Sequence, residues 1–385
     1  MRLLHTSDWH IGRTLSQESL LEDQAHLADQ VFEILKESGA EALIISGDIF
    51  DRPNPRREAI GLFSDFLRRV YLDTDAAIVV LAGNHDAPER ISFGSALHDP
   101  RRVLVRGPLS DGPEPLVLED RHGQVAISAL PFSEIFAARE AFGAPDLASP
   151  ADVLRAQIAE AHRCVPTGAR WVVCAHGFVD GARSTDSERP LAQIGGLETV
   201  PAGTFERAAY VALGHLHRPQ SVGTPQIRYS GSWMGFGFDE AGEEKSLSLV
   251  ELDAKGTTAV EAVPLSPRRS LRIVTGHLAD LLEQGRAEPD PQRNALVKAV
   301  VTDEGALVDA MGQLRQVYPF VLQLERQRTG NAAPNEAPAA SADRRDPEMM
   351  IASFLQSVTG DAPSGTESEL INATLAEVRF EEEAA

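Results

Sequence analysis

With 385 residues, a formal net charge of −21 and a hydrophobic fraction of 43%, the chain has an ordinary globular composition and room for two or three domains. The acidity excludes a DNA-binding surface spread over the whole molecule, and no apolar run approaches the roughly 20 residues of a membrane span. Two cysteines, Cys164 and Cys174, exclude a disulfide framework. Asp8 stands where the apolar region of a signal peptide would be. A reduced thiol in the cytoplasm is therefore the expectation.

In chain order, Arg2-Leu3-Leu4-His5-Thr6 reads as a strand and ends in Asp8-Trp9-His10. A helix is expected from Glu18 to Ser38, with Leu20, Leu27, Val31 and Leu35 at helical spacing and Gly39 as its C-cap. Ala42-Leu43-Ile44-Ile45 is too short for a typical helix and rich in branched residues, so it reads as a buried strand. Gly47 lets the chain turn at its end, and Asp48 projects a carboxylate at the carboxyl edge of the sheet, where open α/β folds place their ligands. The strand–helix–strand order implies a parallel pair with a right-handed crossover.

Prolines make Asp51 to Pro55 a loop, and a second helix is expected from Arg56 to Tyr71. Ile78 to Leu81 is a third strand and ends in Gly83-Asn84-His85-Asp86. Leu116 to Leu118 and Val125 to Ile127 suggest further strands, and Pro150 to His162 a helix. Trp171 to Cys174 leads into His176-Gly177. An irregular stretch runs to Gly203. Tyr210 to Leu213 then leads into Gly214-His215-Leu216-His217, and short strands fill Ile227 to Val263.

Five strand-like runs thus end in polar clusters. Residues two apart in extended chain point the same way, so Asp8 with His10, and His215 with His217, can each aim two side chains into one site. An inventory of two Asp, one Asn and five His suits divalent transition metals better than calcium or a structural zinc site. An Asp48 shared between ligands on either side suggests two ions about 3.5–4 Å apart.

The ordered set D-x-H, G-D, G-N-H-D, H-G and G-H-x-H resembles the calcineurin-like metallophosphoesterase family. Within it the chain is most similar to the nuclease subunits of bacterial complexes that process DNA ends, through Leu4 to Gly12, Gly47 to Asp51, Gly214 to Pro219 and Tyr229 to Ser232. The resemblance covers the first 265 residues well. It implies a two-sheet α/β sandwich with helices on the outer faces, and two divalent metal ions, manganese ahead of magnesium. One ion would take Asp8, His10, Asp48 and His217; the other Asp48, Asn84, His176 and His215. His85 would be the catalytic acid beside them, with Asp86 orienting it through the other ring nitrogen. Trp9 is expected to pack beneath the metal loop, and Arg52, Arg90 and Arg218 flank the site loops as phosphate contacts or solvated charges. Two departures stand out: Asp51 sits where archaeal relatives carry a second catalytic His, and Trp233-Met234 sits where Pro is usual, a change expected to reshape the substrate rim.

Beyond a boundary near Pro264 to Pro267, Ser270 to Arg326 reads as a compact α+β unit similar to the capping domain of that subfamily. Thr329 to Arg345 is an Ala-, Pro- and Asn-rich linker. Two short amphipathic segments follow, one carrying Ile351, Phe354, Leu355 and Val358, the other Leu370, Ile371 and Leu375. A tethered helix pair cannot bury its apolar face alone, so it is expected to dock on a partner. The expected organisation is therefore a catalytic domain (1–265), a capping domain (266–328), a linker (329–346) and a helix pair (347–380). The expected function is a metal-dependent DNA nuclease, exonucleolytic on duplex and endonucleolytic on hairpins and single strands. By resemblance its partners are DNA, a coiled-coil ABC-type ATPase and a second nuclease subunit, with no membrane. The rival readings are a stand-alone phosphodiesterase of small nucleotides and a non-catalytic scaffold. The tethered helices weigh against the first and the intact ligand set against the second.

Overall fold

The computed structural model describes residues 1–188, 192–193, 196–197, 199–303, 307–327, 351, 363–368, 370–372 and 374–375. Met1–Gln327 forms one compact unit and Arg328–Ala385 a second.

Two six-stranded sheets build the larger unit. The first runs Gly256–Pro264, Ser246–Asp253, Arg2–Thr6, Ala42–Ser46, Ala77–Leu81, Val103–Arg106 in spatial order. Its last four strands are parallel, and an antiparallel hairpin extends it beyond Arg2–Thr6. The second runs Gln220–Val222, Thr224–Tyr229, Tyr210–Gly214, Arg170–His176, Gly123–Leu130, Leu116–Asp120, again with a parallel centre and antiparallel edges.

Alternation along each strand divides its side chains between two cores. In Ala42–Ser46, Ala42 and Ile44 face the second sheet and pack with Val172, Cys174 and Ala212, while Leu43 and Ile45 face the helices Leu21–Ser38 and Arg57–Asp73. The helix Pro150–Cys164 covers the outer face of the second sheet, begun by a capping box between Ser149 and Asp152. The result is the helix–sheet–sheet–helix sandwich expected, with both parallel blocks buried on two faces, as parallel strands require.

The first helix starts at Leu21 rather than Glu18, because Glu18–Ser19 pairs with Thr14–Leu15 as a small ribbon. That frees Glu18 to meet Arg269, which is buried and also bonds Asp23 at 2.6 Å. Gly39 does close the helix, at φ 60°. Leu271–Gly276, Leu296–Val301 and Val321–Arg326 form a separate three-stranded parallel sheet, packed with the helices Leu278–Ala287 and Ala310–Arg315 around Leu281, Leu314 and Tyr318. Its Leu296 and Leu271 also reach the core beneath Trp233. In the second unit, residues 365–368, 370–372 and 374–375 are helical, and Leu370 is exposed. Phe354, Leu355 and Val358 lie outside the described residues.

Candidate metal centre

Each of the five polar clusters singled out in the sequence sits at the carboxyl end of a parallel strand, and the two sheets bring those ends together. Close approach dictates the glycines. A side chain on Gly83 would lie 2.2 Å from Asp48 Oδ1. Gly47, at φ 86°, would place one 2.4 Å from His176 Nδ1, so both positions exclude a Cβ. The turns themselves are strained. Asp8, His10, Asp48 and His215 all have positive φ, four of the seven described non-glycine residues that do. Such backbone costs about 1–3 kcal/mol per residue and persists where the surroundings over-determine it, typically at functional sites.

Donor atoms converge in two groups. Asp8, His10 and His217 form one; Asp48, His176 and His215 form the other. In the first, His10 Nε2 and His217 Nε2 lie 3.1 Å apart. In the second, Asn84 Oδ1 is 2.9 Å from His176 Nε2 and 3.1 Å from His215 Nδ1. Asp48 stands between them. Its Oδ1 is 3.4 Å from His176 Nε2, and its Oδ2 is 3.6 Å from His10 Nε2. All seven side chains that the sequence singled out as ligands are thus brought to one place. Two ring nitrogens facing each other, and an amide oxygen between two more, are the lone-pair arrangement that divalent cations complete, so the donor set fits such ions.

Against burial, the Asp48 carboxylate raises His176 to about 9, giving it a proton that a bound cation would displace. Burial, above all, pushes the Asp8 carboxyl up, with the Asp48 charge adding to it. Burial works the same way on Asp48, but the His176, His10 and His85 imidazoles outweigh it and hold Asp48 well below the usual carboxylate range. Burial lowers His215 to about 3, a ring kept neutral and able to ligate.

His85 lies on the open side of Asp48, its Nε2 3.9 Å from Oδ2 and its backbone N–H donating to Oδ1 at 2.8 Å. Its Nδ1 meets the main-chain carbonyl of Asp51 at 2.9 Å. Asp86 therefore does not orient His85, contrary to the sequence reading. Its carboxylate is occupied by the N–H groups of Ile49, Phe50 and Gly83, at 3.1, 3.0 and 2.9 Å. What Asp86 does is clip the Asp48 turn to the Gly83 turn. Asp51 joins His10 and His85 in a third cluster of donor atoms, less buried than the other two, with Arg13 3.8 Å and Arg52 3.4 Å from its carboxylate.

Trp9 is fully buried, as expected. The Trp233 expectation is overturned: it is 1% exposed and stacks on Trp9 with centroids 4.1 Å apart and planes 12° apart. Its Nε1 donates to the Trp9 carbonyl at 2.8 Å. It supports the metal loop from below and forms no rim. Of the flanking arginines, Arg218 is paired with Glu243 and Arg90 bonds Asn54. Arg13, three residues after His10, was overlooked in the sequence. It lies over the Phe236 ring at 4.9 Å, and its charge adds a minor part to the burial that depresses both His10 and His217. Ser187, Glu188, Glu240 and Lys245, which surround His217, carried no sequence signal. Beside Asn84 a cavity of about 450 Å³ opens, with Glu89, Glu134 and Glu140 in its wall.

Residues 1–219 match the family model described as calcineurin-like phosphoesterase, and residues 267–359 that described as type 5 capsule protein repressor C-terminal domain. The chain belongs to the calcineurin-like phosphoesterase family and is a metal-dependent phosphoesterase. It is similar to the SbcD component of the nuclease SbcCD of Staphylococcus saprophyticus, 29% identical over 371 residues, 96% of each chain. It is also similar to that of Staphylococcus epidermidis, 26% identical over 375 residues, 97% of this chain and 98% of the relative. Among solved structures, a dimetal phosphatase from Danio rerio is similar at 11% identity and a TM-score of 0.39, covering 69% of this chain and 99% of that one. No helix of the described residues is long and apolar enough to cross a membrane.

Proposed function

We propose that the chain is the nuclease subunit of a DNA-end-processing complex, cleaving phosphodiesters with two divalent ions, manganese first and magnesium as the substitute. The observation that carries this reading is Asp48, whose two carboxylate oxygens face two separate donor groups. Asp8, His10 and His217 would hold one ion, Asn84, His176 and His215 the other, with Asp48 shared. Ions bound there polarise the scissile phosphodiester and bring the pKa of an attacking water towards neutrality. The residues supply the rest. The Asp86 carboxylate fixes the spacing of the Asp48 and Gly83 turns, and so sets Asn84 beside Asp48. His85, held through Nδ1, turns Nε2 into the site, where it can pass a proton to the leaving oxygen.

The larger assembly follows from the resemblance to the SbcD component of SbcCD over nearly the whole chain. We read 1–265 as catalytic, 266–328 as capping, 329–346 as linker and 347–380 as a helix pair that grips an SbcC-like ABC-type ATPase. Two nuclease chains would then sit in a cytoplasmic heterotetramer. A chain of net charge −21, with acidic residues lining the cavity beside Asn84, suits a nuclease whose DNA is gripped chiefly by its partner. The test is the purified chain with manganese on linear duplex, hairpin DNA and bis-p-nitrophenyl phosphate. Manganese-dependent cleavage of all three is expected. Hydrolysis of the aryl ester alone, with the ATPase present, would point to small phosphodiesters as the substrate.

A further inference from the structure

His217 is held by a network that the phosphoesterase motif does not contain. Its Nδ1 lies 2.6 Å from Ser187 Oγ, and the same hydroxyl lies 2.7 Å from Glu240 Oε1. The direct distance from Nδ1 to Glu240 Oε1 is 3.8 Å, so the hydroxyl stands between them. Glu240 is fully buried, and its other oxygen pairs with Lys245 Nζ at 2.5 Å. Lys245 also donates to the His217 carbonyl at 2.9 Å, and the His217 backbone N–H donates to Glu188 Oε1 at 2.6 Å.

The direction of these bonds follows from valence. A carboxylate paired with a buried ammonium can only accept, so the Ser187 hydroxyl spends its one proton on Glu240. What it has left for His217 is a lone pair, and a lone pair requires a proton on Nδ1. The Nε2 lone pair is then directed at His10, 3.1 Å away. We propose that Ser187 and Glu240 are positioning residues that fix His217 as its Nδ1–H tautomer and so present Nε2 to the metal. The proposal rests on His217 being a ligand. It adds that the stretch after His176 has a defined role: it brings Ser187 to the His217 ring and Glu188 to the His217 backbone N–H. Arg13 reinforces that loop by donating to the Ser187 carbonyl at 3.0 Å.

The test uses the full chain. Nitrogen-15 histidine NMR of the metal-free protein reads the tautomer of His217, and calorimetry reads manganese uptake. Wild type should show the proton on Nδ1 and bind two ions. Ser187→Ala should show a mixed or reversed tautomer and lose about 10–100-fold in affinity at one of the two sites, with an unchanged melting temperature. Ser187→Thr, which keeps the hydroxyl, should restore both. A wild-type His217 protonated on Nε2 overturns the proposal, as does Ser187→Ala with wild-type spectrum and affinity. A wild-type chain that takes up no divalent ion instead overturns the metal reading itself.

Discussion

His85 donates its Nδ1–H to the main-chain carbonyl of Asp51 at 2.9 Å, which leaves Nε2 facing Asp48 Oδ2 at 3.9 Å. A ring tethered through the far nitrogen to backbone is oriented by the fold rather than by any one side chain. His85→Ala should therefore leave the two donor groups intact. Elemental analysis should find two ions bound, while cleavage of an aryl phosphodiester falls by about 10²–10⁴-fold. Loss of metal along with activity would make His85 a ligand and remove its proposed role as acid.

Asp48 behaves differently because both of its oxygens are committed. An amide can offer only one oxygen. Asp48→Asn should reduce bound metal to one ion or none and abolish hydrolysis. Turnover at the wild-type rate by a variant carrying both ions would sink the shared-carboxylate arrangement.

Trp233 stacks on Trp9 and hydrogen-bonds its carbonyl, so the metal loop rests on a buried aromatic pair. Trp233→Ala should lower unfolding free energy by about 3–5 kcal/mol, read from the urea midpoint. If stability is unchanged while the KM for duplex DNA shifts, Trp233 acts at the substrate surface after all.

These residues also mark how far the sequence could be read. The strands and the ligand-bearing turns were legible because burial on both faces leaves continuous apolar runs, and because Asp48, Asn84 and His215 each follow a glycine that close approach forbids replacing, as at Gly83. The role of Asp86 was not legible: a carboxylate beside a histidine in sequence points equally well to backbone amides brought from another turn, and the Ile49 and Phe50 amides won. Trp233 was misplaced because an aromatic next to a motif carries no mark of which face it lies on. The Ser187–Glu240 contact joins segments 53 residues apart through one hydroxyl, and no local pattern announces such a pair.

Asp120 and Arg170 form a partly buried ion pair at 2.5 Å, with the Met1 ammonium on the same carboxylate at 2.7 Å. The Arg170 guanidinium, first, and then the ammonium hold the Asp120 carboxyl far below the usual range. A carboxylate depressed in the folded state stabilises the protein above its unfolded pKa, near 4, and that contribution is lost as pH falls. Asp120→Asn should cost about 1.5–3 kcal/mol at neutral pH, since it replaces a charged hydrogen-bond partner of Arg170 by a neutral one in a pair that solvent partly reaches. The gap between wild type and variant should narrow below about pH 4. Urea midpoints measured at pH 7, 5 and 3.5 check both signs; a gap that widens on acidification would show that Asp120 is not held ionised by this pair.

The tail offers the sharpest separation of chemistry from assembly. The compact unit Met1–Gln327 contains both large sheets and every proposed ligand, whereas Arg328–Ala385 is a separate unit whose Leu370 is exposed. Truncation after Gln327 should therefore leave hydrolysis of a small aryl phosphodiester near the full-length rate. Association with an SbcC-like ATPase should weaken sharply, because apolar side chains such as Phe354, Leu355 and Leu370 are the proposed anchors and a few such residues usually carry most of an interface. Processive degradation of duplex should fall with it. A chain of net charge −21 neutralises few phosphates, so its own DNA affinity should be low, with a shallow dependence on salt. The complex, with basic surface contributed by the partner, should show a steeper one. Co-purification of full-length and truncated chains with the ATPase, followed by both assays, decides the matter. If truncation destroys aryl ester hydrolysis, the tail belongs to the catalytic fold. If the truncated chain still co-purifies at full strength, the grip lies elsewhere, and the three-stranded sheet of Leu271–Gly276, Leu296–Val301 and Val321–Arg326 becomes the surface to mutate.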